Sequence, residues 1–536
     1  TDDEVRAFGS PADGHLGNGA TAGALALLQR TGGWAAGLRL ASLIPALPAG
    51  AGNASGPPSL DIELATMLLE ETLEHWDPVQ ERILLAAASS TDFTPQLVAA
   101  LTGDEQKAVA ATLRFARTSG ICHPSPRFGG EWLEIHPLFR EALLARSQAT
   151  HTPLAIAQWQ RTAAAWFERM GMPGEAIEAW LHAGDHDAAS QAAEAAMQTA
   201  LGQEEWPAMA RYLEILPDAL VRTRPRLLIG RAWIAHLRGQ YSQKVAATTA
   251  AVALIAEQSL EQSERAALLA ELDALKLDNA AAVQASPVDG LERAGRALAG
   301  LPPDRQFPIG IATMMTAMAL TSQGNRESAD ALLHDLFAQG AQRQNAASIR
   351  GLLGLSLLAV QEGNLTQVIR YARSLTGIAE QEQLRLSAGW GRAILADALY
   401  DRNHLEESIE LNTQVGRDHA YCHFYCVLES QFALAQAYLA SGQPGDARRT
   451  WDHLLALIDS KNAAEALAIA DAYGAYLELL HGDRDAAVHW ATHQEPVTVV
   501  SSLYAMLNPA LIKAIILLGE SSRGHLDSAE ANIALV

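Results

Sequence analysis

The sequence predicts a mainly α-helical chain: a small domain of three helices and a β-hairpin, followed by a long solenoid of antiparallel helix pairs. Three observations predict it. Alanine and leucine, both strong helix formers, dominate the 536 residues, and Val/Ile/Thr/Tyr-rich alternation is nearly absent. One turn recurs from about residue 160 onward: AAAWFERMGMPGEAI, RAWIAHLRGQYSQKV, TAMALTSQGNRESA, GLSLLAVQEGNLTQV, ADALYDRNHLEES, AQAYLASGQPGDA and GAYLELLHGDRDAAV. Each variant sets an apolar residue before the turn, Gly or a polar residue in it, and Ala on the buried face of the next helix. Finally, residues 60–147 break this pattern with a mixed signature of their own. A pair of helices cannot bury its apolar face alone. Stacked pairs bury a continuous core and present a concave surface, which suits binding better than catalysis.

Taken in order, residues 1–50 hold two short helical patterns around the Gly-rich GHLGNGATAG and end in TGGWAAGLRLASLI. The opening TDDEVRAFGS reads as the middle of a domain, with neither the basic nor the apolar region of a signal peptide. ALPAGAGNASGPPS is a linker by composition, and helices resume at LDIELATMLLEETLEHW. A domain over 51–147 then follows. ERILLAAAS is an apolar helix, TPQLVAALTG a second with a Thr cap and a Gly stop, and KAVAATLRFARTSG a third. ICHPSP and EWLEIH are two short strands around a loop holding Arg127, Gly129 and Gly130. Three helices and a hairpin make a winged-helix topology. PLFREALLARSQ opens a new helix with Pro137 at its first position, where a missing N–H costs nothing. The array runs over 148–536 as roughly eight to ten pairs, looser than the tetratricopeptide consensus and therefore TPR-like.

Composition bounds function. The net charge of −22 repels phosphate backbones, so direct DNA or RNA binding by this chain is disfavoured. The three cysteines, Cys122, Cys422 and Cys426, form no disulfide framework and fit a reducing cytoplasm. The most membrane-like stretch, LNPALIKAIILLG, is short and carries Lys513. There is no GxSxG elbow, no HExxH and no cysteine in a nucleophile setting, so nothing argues for an enzyme.

Three segments together resemble the MalT-like regulators, LuxR-family transcription activators built on a signal-transduction ATPase. TGGWAAGLRLA (31–41) is similar to the end of their ATPase module, and IHPLFREALLA (135–145) to their HxLFREFL segment. RTAAAWFERMGMPGEAIEAWLHAGDHDAA (161–189) is similar to the start of their sensor superhelix. The resemblance implies a small-molecule inducer bound by the superhelix. It also implies ATP or ADP held by an upstream module, self-association on activation, and DNA contact through a C-terminal helix-turn-helix. The sequence departs from the pattern at both ends. GNGATAG lacks the lysine of a G-x-x-x-x-G-K-[ST] loop, and no basic recognition segment follows GHLDSAEANIALV. The expectation is a regulatory and sensing region without cofactor in this chain, its 1–50 segment a remnant of the ATPase module.

On the same resemblance, His136 matches the winged-helix histidine that touches the β-phosphate of bound ADP. An imidazole suits that role because it donates to phosphate and its charge is tunable near neutral pH. The alternative is a brace at a strand–helix junction. His419, Cys422, His423 and Cys426 have the spacing of one helix face, but four ligands on a straight helix do not wrap a tetrahedral ion, so no metal is expected. Tyr421, His423 and Phe424 are groove candidates instead. Met314, Met315 and Met318 adapt to apolar ligands or fill core gaps. Trp390, between Gly389 and Gly391, has room beside its indole for a pocket. Arg350, Arg385 and Arg392 suit an anionic inducer or an ordinary ion pair. The runner-up function is a scaffold whose groove holds a peptide or an inhibitory protein. A metabolite needs a closed apolar pocket with a few polar anchors, a peptide a broad shallow one.

Overall fold

The computed structural model describes residues 76–277, 286–340, 344–461, 463, 466–494, 509–519 and 528–530. The segments read as an ATPase remnant, a linker and the helix at 60–75 lie outside the described residues. The chain forms two compact units, residues 1–189 and 190–536.

The first unit holds the winged helix. Helix α1 (Pro78–Ala88) starts at Asp77, whose carboxylate accepts from Val79 N and Gln80 N while Gln80 Oε1 accepts from Asp77 N, a reciprocal capping box. Strand β1 (Asp92–Phe93) leads into α2 (Pro95–Thr102), which Thr94 caps through Leu97 N at 3.2 Å. Gly103 stops α2 at φ +74°, a left-handed residue as the Gly stop predicts. After α3 (Gln106–Thr118), strands β2 (Cys122–Pro124) and β3 (Leu133–Ile135) pair antiparallel, Cys122 opposite Ile135. The predicted hairpin is there, and β1 adds a third strand on the other side of β3, giving the order β1-β3-β2. Two residues are too few for a period-2 pattern, so β1 leaves no trace in the sequence. Helix α4 (Pro137–Thr150) follows with its proline at the first position. Ile83, Leu84, Leu85, Phe93, Leu97, Leu113, Ile121 and Leu143 form the core. Helices α5 (Pro153–Arg169) and α6 (Pro173–His182) pack onto it, with Gln160 Nε2 donating to Ser89 O at 2.8 Å.

Helix α7 (His186–Gly202) leads to α8 (Trp206–Ile215), and the array continues in pairs. These are α9 (Pro225–Leu237) with α10 (Tyr241–Glu257), α11 (Gln262–Leu277) with α12 (Pro287–Gly300), and α13 (Gln306–Ser322) with α14 (Arg326–Ala338). Next come α15 (Ile349–Gln361) with α16 (Leu365–Gln381) and α17 (Arg385–Asp401) with α18 (Leu405–Arg417). The last pairs are α19 (Phe424–Ala440) with α20 (Pro444–Ser460) and α21 (Leu467–His481) with α22 (Arg484–His493), before α23 (Pro509–Leu518).

The recurrent turn has one geometry. Gly171, Gly239, Gly324, Gly363, Gly442 and Gly482 all have positive φ, and Asn403 takes the same place at φ +59°. The residue after each donates back five positions, as Gln240 N does to Ala235 O at 2.8 Å and His404 N to Leu399 O at 2.8 Å. This is the Schellman stop, which calls for a left-handed residue at its fifth position. The sequence motif is therefore a helix-stop motif. Gly239 is fixed twice over: a Cβ there would also stand 2.6 Å from Phe424 Cδ1.

First and second helices of a pair differ. Helices α16, α18 and α20 bury one stripe each, such as Val368, Ala372, Leu375 and Ala379 in α16. By contrast α15 is buried continuously from Ile349 to Ala359, and α9, α13, α17 and α19 are nearly as enclosed. A helix apolar all round must be covered all round. The first helices are therefore the inner layer of the second unit.

Candidate functional site

What covers that inner layer is the chain itself. Segments far apart in sequence meet along a polar seam inside the second unit. The α7–α8 turn supplies Glu204, 1% exposed, at φ +60° in a Schellman stop where most turns carry glycine, Gln383 and Asn403 being the other non-glycine cases among the described residues. A left-handed conformation costs an L-residue roughly 1–2 kcal/mol. The contacts of its carboxylate offset this. Glu204 Oε1 accepts from Arg350 Nη1 at 2.8 Å and from Ser387 Oγ at 2.6 Å, and Oε2 accepts from Ser387 N at 2.7 Å. Arg350, 2% exposed, also donates to Ala346 O at 2.6 Å and lies 3.9 Å over the Phe307 ring. Next along, Trp206 Nε1 donates to Tyr421 O at 2.8 Å, and the Arg385 guanidinium covers the Tyr421 ring at 4.1 Å with Glu205 3.8 Å away.

A second cluster lies beside it. Trp233, fully buried, donates from Nε1 to Glu271 Oε1 at 3.1 Å and meets the Phe307 ring edge-on at 5.3 Å. Arg305 stands 3.8 Å from Glu271. His236 and His423 approach at 3.3 Å between their Nε2 atoms, Lys244 Nζ is 3.4 Å from His236 Nδ1, and Trp390 lies 5.8 Å from the His423 ring. Gln240 Nε2 reaches Lys461 O at 2.8 Å.

The structure thus brings Arg350, Arg385, Trp390, Tyr421, His423 and Phe424 to the seam, their partners being residues that sequence reasoning missed: Glu204 and Phe307 for Arg350, Glu205 for Arg385, Trp206 for Tyr421, His236 for His423 and Gly239 for Phe424. Glu204 left the clearest signal, a charged residue at a stop where six of the seven quoted turns carry glycine. Several candidates sit differently from their sequence expectation. His419, Cys422, His423 and Cys426 do not share a helix: His419 to Cys422 form a turn and bend, and α19 begins only at Phe424. His423 is its N-cap, its Nδ1 accepting from Tyr425 N at 3.1 Å. Burial pushes the Cys426 thiol up, with Cys422 beside it adding to the effect, so it stays protonated at neutral pH. Tyr421 likewise lies in the turn and not on a first helix. The room expected beside Trp390 is taken: a Cβ on Gly389 would stand 2.6 Å from Cys422 Sγ and one on Gly391 2.5 Å from Thr376 Oγ1. Met314, Met315 and Met318 are core. Arg392 holds Glu380 at 2.8 Å and Asp418 at 2.9 Å. In the first unit His136, 7% exposed, is the N-cap residue of α4, its backbone N bonded to Ile121 O and its ring edge-on to Phe139 and His123.

Open space lies elsewhere in the second unit. A cleft of about 330 Å³ between α10, α11 and α12 is lined by Tyr241, Lys244, Thr248, Lys276, Asp289 and Arg293, among others. A smaller one, about 160 Å³, runs beside Trp451, Ala447, Gly474 and Leu477. Among the described residues no three His, Cys, Asp or Glu side chains are placed to hold a metal ion, and no helix is long and apolar enough to cross a membrane.

Asp397 on α17 gives a pH test of the inner layer. Burial, then Asp401 one turn on, push its carboxyl up to about 7 from 3.8. The charged form is disfavoured in the fold, so stability is full below the unfolded pKa and falls as pH rises through about 7. Asp397→Asn is expected to raise the unfolding midpoint most at pH 8, less at pH 5.5, and little near pH 3.8. Parallel midpoint–pH curves for the two chains would contradict this.

Comparison with known proteins gives both regions a family. Residues 274–532 match the MalT-like TPR region and residues 69–155 the MalT winged helix domain. The serine/threonine-protein kinase PknK of Mycobacterium tuberculosis is 25% identical over 470 residues, 86% of this chain and 38% of that protein. The transcriptional regulator MalT of Cronobacter sakazakii is 29% identical over 226 residues, 40% of this chain and 24% of that protein. MalT of Yersinia enterocolitica is 25% identical over 345 residues, 63% of this chain and 37% of its own length. The chain therefore spans less than two-fifths of each of these relatives. A signal transduction ATPase with a tetratricopeptide repeat sensor from Pyrococcus horikoshii has a TM-score of 0.47 at 13% identity, covering 89% of this chain and 66% of that one.

Proposed function

We propose that this chain, which belongs to the MalT-like regulators, is a sensing and regulatory region that binds a small-molecule effector in its helical repeats and thereby controls self-association. The observation that carries the proposal is the cleft between α10, α11 and α12. At about 330 Å³ it has the size of a small-molecule site, and Tyr241, Lys244, Lys276 and Arg293 supply an aromatic wall and polar anchors. The effector acts by its differential affinity for closed and open forms of the array, so the region needs no catalytic group. In the longer protein ATP or ADP would be bound by another module, His136 would report its state from the winged-helix junction, and DNA would be met by a separate reader. The acidic charge disfavours DNA binding by this region, and its three free thiols suit the cytoplasm.

The test is thermal unfolding of the chain against sugars, hydrocarbons, aromatic acids and acyl metabolites. A ligand at a hundred times its dissociation constant adds about 2.7 kcal/mol, and Tyr241→Ala is expected to abolish the shift. A panel without a hit would favour the second reading, a scaffold for a peptide or inhibitory protein. The shallow apolar cleft beside Trp451 is the feature that supports it.

A further inference from the structure

The seat that holds Glu204 is built by other repeats, and it has the chemistry of a ligand site. We infer that Arg350, Ser387 and the first turn of α17 form a binding site for a small carboxylate- or phosphate-bearing molecule, which Glu204 occupies in the closed array as an internal competitor. The inference rests on the effector-sensing reading but concerns a second seat, apart from the cleft between α10, α11 and α12, and names the chemical class that seat would hold.

Three donors converge on one point: Arg350 Nη1, Ser387 N and Ser387 Oγ. Ser387 is the third residue of α17, so its N–H is one of the helix's orphan donors, and Leu384 at the N-cap supplies no side-chain acceptor. Arg350 keeps a donor in reserve: its Nε is buried with no hydrogen-bond partner, although the side chain is only 3% exposed. A planar or tetrahedral anion with two or more oxygens could take Arg350 Nη1, Ser387 Oγ and the helix N-terminus together, as the carboxylate of Glu204 does.

The seat is closed while Glu204 fills it, since Glu204, Arg350 and Ser387 are each 2% exposed or less. Entry requires the α7–α8 turn to leave. That departure also draws Trp206 from Tyr421 O and Glu205 from Arg385, and so separates residues 204–206 from α15, α17 and the turn before α19. Occupancy by a ligand and opening of the seam are the same event. A tethered side chain competes at an effective concentration on the order of mM, so the natural ligand must bind well enough to exceed it.

Emptying the seat tests this directly. In Glu204→Gly the left-handed turn is kept, because glycine accepts its φ. The unfolding midpoint of the full chain is followed against sodium acetate, inorganic phosphate and sodium chloride at matched ionic strength. E204G is expected to lose several degrees. Acetate or phosphate should restore them saturably, with no such effect on the wild type or on E204G/R350M. Restoration by acetate alone assigns a carboxylate ligand, by phosphate alone a phosphoryl one. If neither anion exceeds chloride, or if E204G/R350M responds equally, the seat is only structural and the inference falls. Should E204G not fold, Glu204→Gln weakens the plug instead. Acetate is then expected to displace the α7–α8 turn and speed proteolysis there several-fold relative to chloride, and equal rates overturn the inference. A negative result here leaves the effector reading standing, since that is measured on the wild-type chain.

Discussion

Arg350→Ala is expected to lower the stability of the 190–536 unit by about 3–5 kcal/mol, because it strands a buried carboxylate. Glu204 would keep Ser387 but lose its guanidinium partner, and Phe307 would lose the same guanidinium at 3.9 Å. Breaking a buried pair costs far more than replacing it whole, since the desolvated survivor carries the penalty. E204G/R350M, which removes both charges and relieves the left-handed strain, should therefore recover more than half of that loss. Chemical denaturation read at the second unit's transition checks the order: R350A least stable, the double variant intermediate or better. Equal loss in both would show that packing, not charge, dominates the seam.

Trp233→Ala is expected to cost a similar amount, about 3–5 kcal/mol, through a different cause. Its indole is fully buried against Phe307, so truncation leaves a large cavity. It also takes from Glu271 a hydrogen bond of 3.1 Å, leaving that carboxylate to Arg305 at 3.8 Å. Trp233→Phe separates the two contributions. It keeps most of the volume and loses the N–H, and should cost about 1–3 kcal/mol. Denaturant midpoints at constant m-value would measure both. If Phe is as damaging as Ala, the Glu271 bond matters more than the cavity.

Local rules made much of the fold legible. The repeated glycine before a polar residue is a helix stop, and seven quoted turns carry a left-handed residue at that place. Thr94, Gly103 and Pro137 marked helix ends for reasons confined to a few residues. The inner seam was not legible in the same way. Arg350 lies 146 residues from Glu204, and His423 187 from His236, so their meeting is set by the accumulated angles of several pairs. The sequence marks Arg350, Trp390 and His423 as unusual but cannot name their partners. The His419–Cys426 spacing suits a helix face, yet Asp418 to His423 is the connection between α18 and α19, where that periodicity has no meaning. A further local trace of the seam is a glutamate where most turns carry glycine.

The central claim is that the helical repeats sense a small molecule by loosening or tightening their inner layer. Hydrogen exchange of the full chain with and without a compound from the metabolite panel tests it most directly. The account predicts changed protection in α10, α11 and α12 around the cleft, and with it in the inner-layer helices α15, α17 and α19. Changes confined to residues 76–189, or a stabilising compound that leaves those helices unaltered, would contradict it.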